Sequence, residues 1–175
     1  MKAKHLDWAT CADWVRDHQG AGQRVVFTNG CFDLLHAGHV HLFIQARALG
    51  DRLVVGLNSD DSVARLKGPA RPLMPLRHRL MLLGTLEPVD ALVVFPADDQ
   101  PAAAGDSSLL DSPYELLREL RPDVLVKGAD YRPDGVVGGE FAGEVRTVPL
   151  LEGLSTSSLV ERLRRSADPA SAIRD

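Results

Sequence analysis

The chain has 175 residues, 45% hydrophobic and 25% charged, a soluble-globular composition at a size where one core buries roughly 70% of the unfolded surface and needs no disulfide or structural metal. Twenty Lys and Arg against 24 Asp and Glu leave a net charge of −4, which argues against coating nucleic acid or an anionic membrane and confines any anion site to a local pocket. Two cysteines, Cys11 and Cys31, make no paired framework, and neither a signal peptide nor an apolar run of roughly 20 residues is visible, so the expectation is a reduced, cytoplasmic protein.

Short β-branched runs alternate with longer segments of helical period, the pattern of βαβ units around a parallel sheet. A leading helix is expected from Asp7 to His18, with Trp8, Cys11, Ala12 and Val15 on one face, Thr10 as its cap and Gly20 and Gly22 as its stop. Trp8 and Trp14 are read as packing groups. The first strand is Arg24 to Thr28, and after Asn29-Gly30 a helix begins near Gly38 and runs to Leu49 before Gly50. A second strand spans Arg52 to Asn58, and Ser59-Asp60-Asp61 cap a short helix through Leu66.

The loop LKGPARPLMP, Leu66 to Pro75, is basic and broken by prolines, and it leads to a helix from Leu76 to Leu86 that starts with Arg77, His78 and Arg79. Cations at a helix N-terminus oppose its macrodipole, so solvent or an anionic ligand must relieve them. The third strand is Ala91 to Phe95. A long exposed loop, Pro96 to Ser112, then leads to a helix from Pro113 to Leu120 and a fourth strand from Asp123 to Lys127. After a turn-rich stretch from Gly128 to Gly143 come a fifth strand near Glu144 to Val148, the run Glu152 to Ser158, a last helix to about Arg165 and a frayed tail. The expected fold is α/β, a Rossmann-like doubly wound parallel sheet of about five strands with flanking helices in a single domain: 1–22 a leading helix packed on it, 23–165 the domain proper, 166–175 a flexible tail.

Chemistry is expected where the first strand meets its helix. In Thr28-Asn29-Gly30-Cys31-Phe32-Asp33-Leu34-Leu35-His36-Ala37-Gly38-His39 a strand ends in a glycine turn and a helix starts beside two histidines. Backbone N–H groups and the positive helix end then face a crevice above the strand, which makes it a phosphate site by geometry. Gly38 between the histidines allows close backbone approach. His36, His39 and His41 do not make a zinc set, because positions 39 and 41 point about 200° apart on a helix and no Cys or acid completes them. Cys31 is read as a small residue in a tight turn.

The segment GCFDLLHAGH resembles the signature G-x-F-D-x-x-H-x-G-H of the HxGH nucleotidyltransferase superfamily at every specified position, and the superfamily's Rossmann-like fold agrees with the alternation above. LVVGLNSD (Leu53 to Asp60), Leu66-Lys67-Gly68 with Arg71-Pro72, Val126-Lys127-Gly128-Ala129-Asp130-Tyr131 and Gly153-Leu154-Ser155-Thr156-Ser157 follow in the order found in D-glycero-β-D-manno-heptose 1-phosphate adenylyltransferases. The resemblance runs from about Val25 to Leu163. It is similar to the transferase half of a protein often fused to a sugar kinase, for which 175 residues leave no room, so the kinase is expected on a separate polypeptide. The chain departs from that family in a longer Ala97 to Asp111 loop, expected to be surface, and in Ser157-Ser158 where Thr and a polar residue are more usual.

The resemblance implies AMP transfer from ATP to a sugar 1-phosphate, with Mg²⁺ as cofactor held mainly by phosphates and no identified protein ligand. It implies His36, His39 and Lys67 as catalytic residues. Nucleotide binding falls to Thr28, Asn29, Gly30, Phe32, Gly38, Arg79, Lys127, Gly128, Ser155, Thr156 and Ser157, and acceptor binding to Asp33, Asn58 and Arg71. A homodimer or larger homo-oligomer is expected. The alternatives are a cytidylyltransferase acting on glycerol 3-phosphate or a similar polyol phosphate, an FMN adenylyltransferase, and a nucleotide-binding module without turnover.

Overall fold

The computed structural model describes residues 4–96, 109–128, 135–149, 151, 153 and 156–166. Six strands, β1 (His5–Leu6), β2 (Val25–Gly30), β3 (Arg52–Asn58), β4 (Ala91–Phe95), β5 (Val124–Gly128) and β6 (Glu144–Val148), pair in the order β1-β4-β3-β2-β5-β6, every neighbour parallel. The strand beyond the expected five is β1. Two residues are too short to show alternation, and β1 exists through pairing with Leu92 and Val93, supported by the Lys4 carbonyl accepting from the Leu92 N–H at 2.7 Å.

Helices α1 (Trp8–Gly20), α2 (Ala37–Arg47), α3 (Asp60–Lys67), α4 (Leu76–Gly84), α5 (Tyr114–Leu120) and α6 (Thr156–Ser166) connect or follow the strands. Alternation along β2 sends Val25 and Phe27 to one face and Val26 to the other. The first face carries α1 and α5 through Cys11, Val15, Leu116 and Leu120; the second carries α2 and α4 through Leu42, Phe43, Ala46 and Leu83. This is the doubly wound sandwich. Both tryptophans pack against the first core, and the Trp8 indole also donates to the Val94 carbonyl at 2.7 Å.

Two helix boundaries differ from expectation for capping reasons. Asp7, not Thr10, caps α1: its carboxylate accepts from both the Thr10 N–H and hydroxyl at 2.8 Å. Helix α3 continues through Lys67 and stops at Gly68, whose φ of 97° suits only glycine. Lys67 therefore sits on the last turn of a helix rather than in the loop beyond it. The expected tail from 167 onward and most of the long loop, 97–108, lie outside the described residues. Among the described residues no helix is long and apolar enough to cross a membrane.

The connectivity also opens a crevice at one end of the sheet. From β2 the chain steps outward through β3 to β4, then returns to the other side of β2 to lay down β5 and β6. The C-terminal ends of β2 and β5 thus form the switch point where loops diverge and leave a crevice.

Candidate active site

The crevice holds a cavity of about 670 Å³. Its floor is the end of β2, Thr28 to Gly30, beside Lys127 and Gly128 of β5. The Thr28 hydroxyl donates to the Val126 carbonyl at 3.0 Å, tying the two strands where they would otherwise splay. Lys127 Nζ donates to the Asn29 side-chain oxygen, which holds this ammonium over the floor.

From Gly30 the chain turns through Cys31 and Phe32. Phe32 has φ of 45°, a left-handed conformation that costs a non-glycine residue about 1 kcal/mol or more. Packing holds it there: the ring is buried, edge-on to Phe43 at 5.0 Å and to His39 at 5.2 Å between centroids. His36 then serves as N-cap of α2, its Nδ1 accepting from the Gly38 N–H at 3.1 Å. That bond leaves the ring proton on Nε2. The His36 and His39 rings stack at 3.7 Å with 23° between planes.

His39 Nδ1 is buried, and no hydrogen-bond partner for it is found among the described residues. Burial, then the neighbouring His36, push the His39 pKa down to about 4, and burial lowers that of His36. Both rings are therefore neutral at pH 7. They offer N–H donors without charge, and the positive charge of the pocket comes from Lys67, Arg71 and Lys127. In a chain of net charge −4 this gathers three cations around one cavity, an arrangement able to hold an anion.

His36, His39, Lys67, Thr28, Asn29, Gly30, Phe32, Gly38, Lys127, Gly128, Thr156, Asp33, Asn58 and Arg71 all line the one cavity. Ser155 lies outside the described residues, and of Ser157 only the helical backbone is described. Arg79 is a correction. Its side chain is fully buried and does not line the cavity. Nη1 donates to the carbonyls of Cys31 at 2.6 Å and Asn58 at 2.8 Å, Nε to that of Met74 at 3.2 Å, and Nη2 to Asp60 Oδ1 at 2.8 Å. The Arg79 charge is thus relieved by protein groups, whereas Arg77 and His78, on the same turn of α4, are exposed to solvent. Asp60 also accepts from the Leu76 N–H at 3.1 Å, capping α4 from outside.

Asp33 and Asn58 reach the cavity with their polar atoms already engaged. Asp33 accepts from Arg71 Nη1 at 2.7 Å and from the Met74 N–H at 2.8 Å. Burial, its largest influence, raises the Asp33 pKa, but the Leu73 and Met74 N–H groups and Arg71 together outweigh it and hold the carboxyl below its ordinary value. The Asn58 amide donates to the Ser62 hydroxyl at 2.9 Å and the Asp111 carbonyl at 3.0 Å, and its oxygen faces the Cys31 thiol. Burial raises the pKa of that thiol, with Lys67 and Arg79 pulling against it, so no reactive thiolate is built there.

Sequence reasoning missed the wall made by Asp111, Ser112 and Pro113 and the apolar side formed by Val136, Val137 and Leu151. The end of the long loop is thereby part of the cavity: Arg65 grips the Asp111 carboxylate with bonds of 2.7 and 3.1 Å, and the Asp111 carbonyl caps Asn58. No local signal marks Asp111, because its partners lie in β3 and α3.

The chain matches the family described as cytidylyltransferase-like over residues 27–168. It is 47% identical over 164 residues to the bifunctional protein HldE of Magnetococcus marinus, covering 91% of this chain and 31% of that one. To the bifunctional protein HldE of Nitratiruptor sp. it is 48% identical over 149 residues, covering 85% and 29%. The chain spans about a third of the length of these curated relatives. Among solved structures, the pantoate-beta-alanine ligase of Francisella tularensis, complexed with beta-gamma ATP and beta-alanine, shares the fold at a TM-score of 0.62 and 16% identity, covering 93% of this chain and 76% of that one.

Proposed function

The chain belongs to the cytidylyltransferase-like family of nucleotidyltransferases, and we propose that it transfers AMP from ATP to D-glycero-β-D-manno-heptose 1-phosphate, giving ADP-heptose and pyrophosphate. The observation that carries the chemistry is the stacked, neutral His36–His39 pair at the N-terminus of α2, set in a cavity with three cations. The choice of substrates rests on the order of the four segments from Leu53 to Ser157 and on the identity with the HldE proteins, whose name states two functions and of which this chain matches one third.

In this reading an oxygen of the acceptor phosphate forms a bond to the α-phosphorus while the bond from that phosphorus to the β-bridging oxygen breaks. Pyrophosphate departs with the electron pair. The nucleophile is already an anion, so no serine or cysteine is required, and the protein contributes position and charge. His36 and His39 donate through their ring N–H groups to phosphate oxygens, where pre-aimed donors act most strongly on charge that develops during reaction. Lys67, on the last turn of α3, follows charge onto the leaving group; Lys127 holds the floor.

Enzymes of this class generally use a divalent cation, and we propose Mg²⁺. Among the described residues no three His, Cys, Asp or Glu side chains come together. The carboxylates that border the cavity, Asp33 and Asp111, are engaged by Arg71, Met74 and Arg65. The donor set therefore does not fit a protein-held ion, and the ion enters on the triphosphate's own oxygens.

Pyrophosphate release with Mg²⁺, crossing ATP, CTP and GTP against heptose 1-phosphate, glycerol 3-phosphate and FMN, tests the reading. Release with ATP and heptose 1-phosphate alone is expected. Release with CTP and glycerol 3-phosphate would keep the chemistry and overturn the substrates, and silence throughout would return the chain to a binding role.

A further inference from the structure

The connection between α3 and α4 is clasped at Met74. Its N–H donates to Asp33 Oδ1 at 2.8 Å, and its carbonyl accepts from Arg79 Nε at 3.2 Å. The second oxygen of Asp33 takes Arg71 Nη1 at 2.7 Å. Asp33 is only 5% exposed and both its oxygens are engaged, so it is not itself a substrate ligand. Arg71 is 18% exposed and lines the cavity, and among the described residues its guanidinium makes no other hydrogen bond. One corner of a planar fork is pinned, and the remaining N–H groups stay open to a second anion.

In-line displacement sets two separate demands. The leaving pyrophosphate needs a cation that follows moving charge, which a lysine on a flexible stem supplies. The attacking phosphate needs a fixed anchor before the reaction, and a guanidinium braced by a buried carboxylate is one. We propose that Asp33 is a positioning residue which braces Arg71 so that the open side of its guanidinium holds the phosphate of the acceptor. This rests on the nucleotidyl-transfer reading and replaces direct acceptor binding by Asp33 with action through Arg71.

Steady-state kinetics on the full chain, with R71A, R71K, D33N and the D33N/R71A pair, test it. R71A raises the acceptor KM by about tenfold or more, the loss of charged hydrogen bonds, while the nucleotide KM stays within about twofold. R71K, with charge but no fork, falls between R71A and the parent. D33N raises the acceptor KM in the parent and adds nothing in the R71A background. Equal effects of D33N in both backgrounds, or a joint rise of both KM values, would overturn the positioning role. Equilibrium titration of the pyrophosphate-saturated protein with inorganic phosphate needs no turnover and no D33N variant. R71A is expected to weaken it about tenfold, and an unchanged affinity overturns the proposal. If the parent turns over another phosphate-bearing acceptor, the substrate assignment fails while the Arg71 test is read with that acceptor.

Discussion

The two edges of the sheet treat polar groups in opposite ways. Where strands begin, an aspartate precedes each of β3, β4 and β5 and accepts a backbone N–H from the start of the neighbouring strand or the residue just before it: Asp51 from Arg24, Asp90 from Leu53 and Asp123 from Val25, at 2.7 to 2.8 Å. Asp90 and Asp123 also take Arg47 and Gln19. Where strands end, Lys67, Arg71 and Lys127 ring a cavity, and a buried nitrogen of His39 has no partner among the described residues. Closed hydrogen bonding marks the edge where strands begin, and a cluster of cations around a cavity marks the edge where they end. Arg79 belongs to the first kind although it lies at the second edge.

That placement gives the largest expected effect. R79M leaves three carbonyls and Asp60 Oδ1 without the donor they share, so it should lower unfolding stability by about 3–5 kcal/mol, measured by urea denaturation. A variant that kept its stability and lost only nucleotide affinity would break the contrast and return Arg79 to the ligand site. H39A is the converse. Turnover should fall by a factor on the order of 100 or more, about 2.7–4 kcal/mol of transition-state stabilisation, while the thermal midpoint at pH 7.5 moves by only a few degrees. Unchanged turnover would mean that His39 has no catalytic use.

The acid limb of stability sharpens the same contrast. In the folded chain His39 titrates at about 4 against an ordinary value of 6.5. Above pH 6.5 neither the folded nor the unfolded ring binds a proton, and the full stability is present. As pH falls from 6.5 toward 4 the unfolded ring takes up a proton that the folded ring refuses, so stability drops, by up to about 3 kcal/mol. Urea midpoints at pH 7.5 and 5 should therefore converge between the parent and H39A, or cross. A parallel offset at both pH values would show that His39 is not held neutral.

Much of this was legible in the sequence because it is local. The strands show as β-branched runs, and the glycine turn and histidine spacing of the β2–α2 junction fall within twelve residues, Thr28 to His39. What was illegible depends on distant partners. Arg77 and Arg79 read alike as cations on one helix turn, yet Arg79 is buried because carbonyls 48 and 21 residues away converge on it. Asp33 and Arg71, each expected to meet the acceptor, meet one another across 38 residues. The two-residue β1 carries no pattern of its own, and Asp111 borders the cavity only because Arg65 and Asn58 hold it there.

The smallest expected effect probes the closed edge. In D123N the side-chain oxygen still accepts the Val25 N–H, but the charge that strengthens this bond and the one from Gln19 is gone. A charge-assisted bond is roughly twice as strong as a neutral one, so the loss is about 1 kcal/mol, a fall of roughly 2–4 °C in Tm for a chain of this length. Because Asp123 sits at the opposite end of β5 from Lys127, kcat and both KM values should stay within about twofold of the parent. A tenfold loss of turnover in a stably folded D123N would mean that strain at the starting edge is transmitted along β5 to the ammonium over the cavity floor. The two edges would then be one device, and the separation of structural from functional hydrogen bonds drawn above would not hold for this sheet.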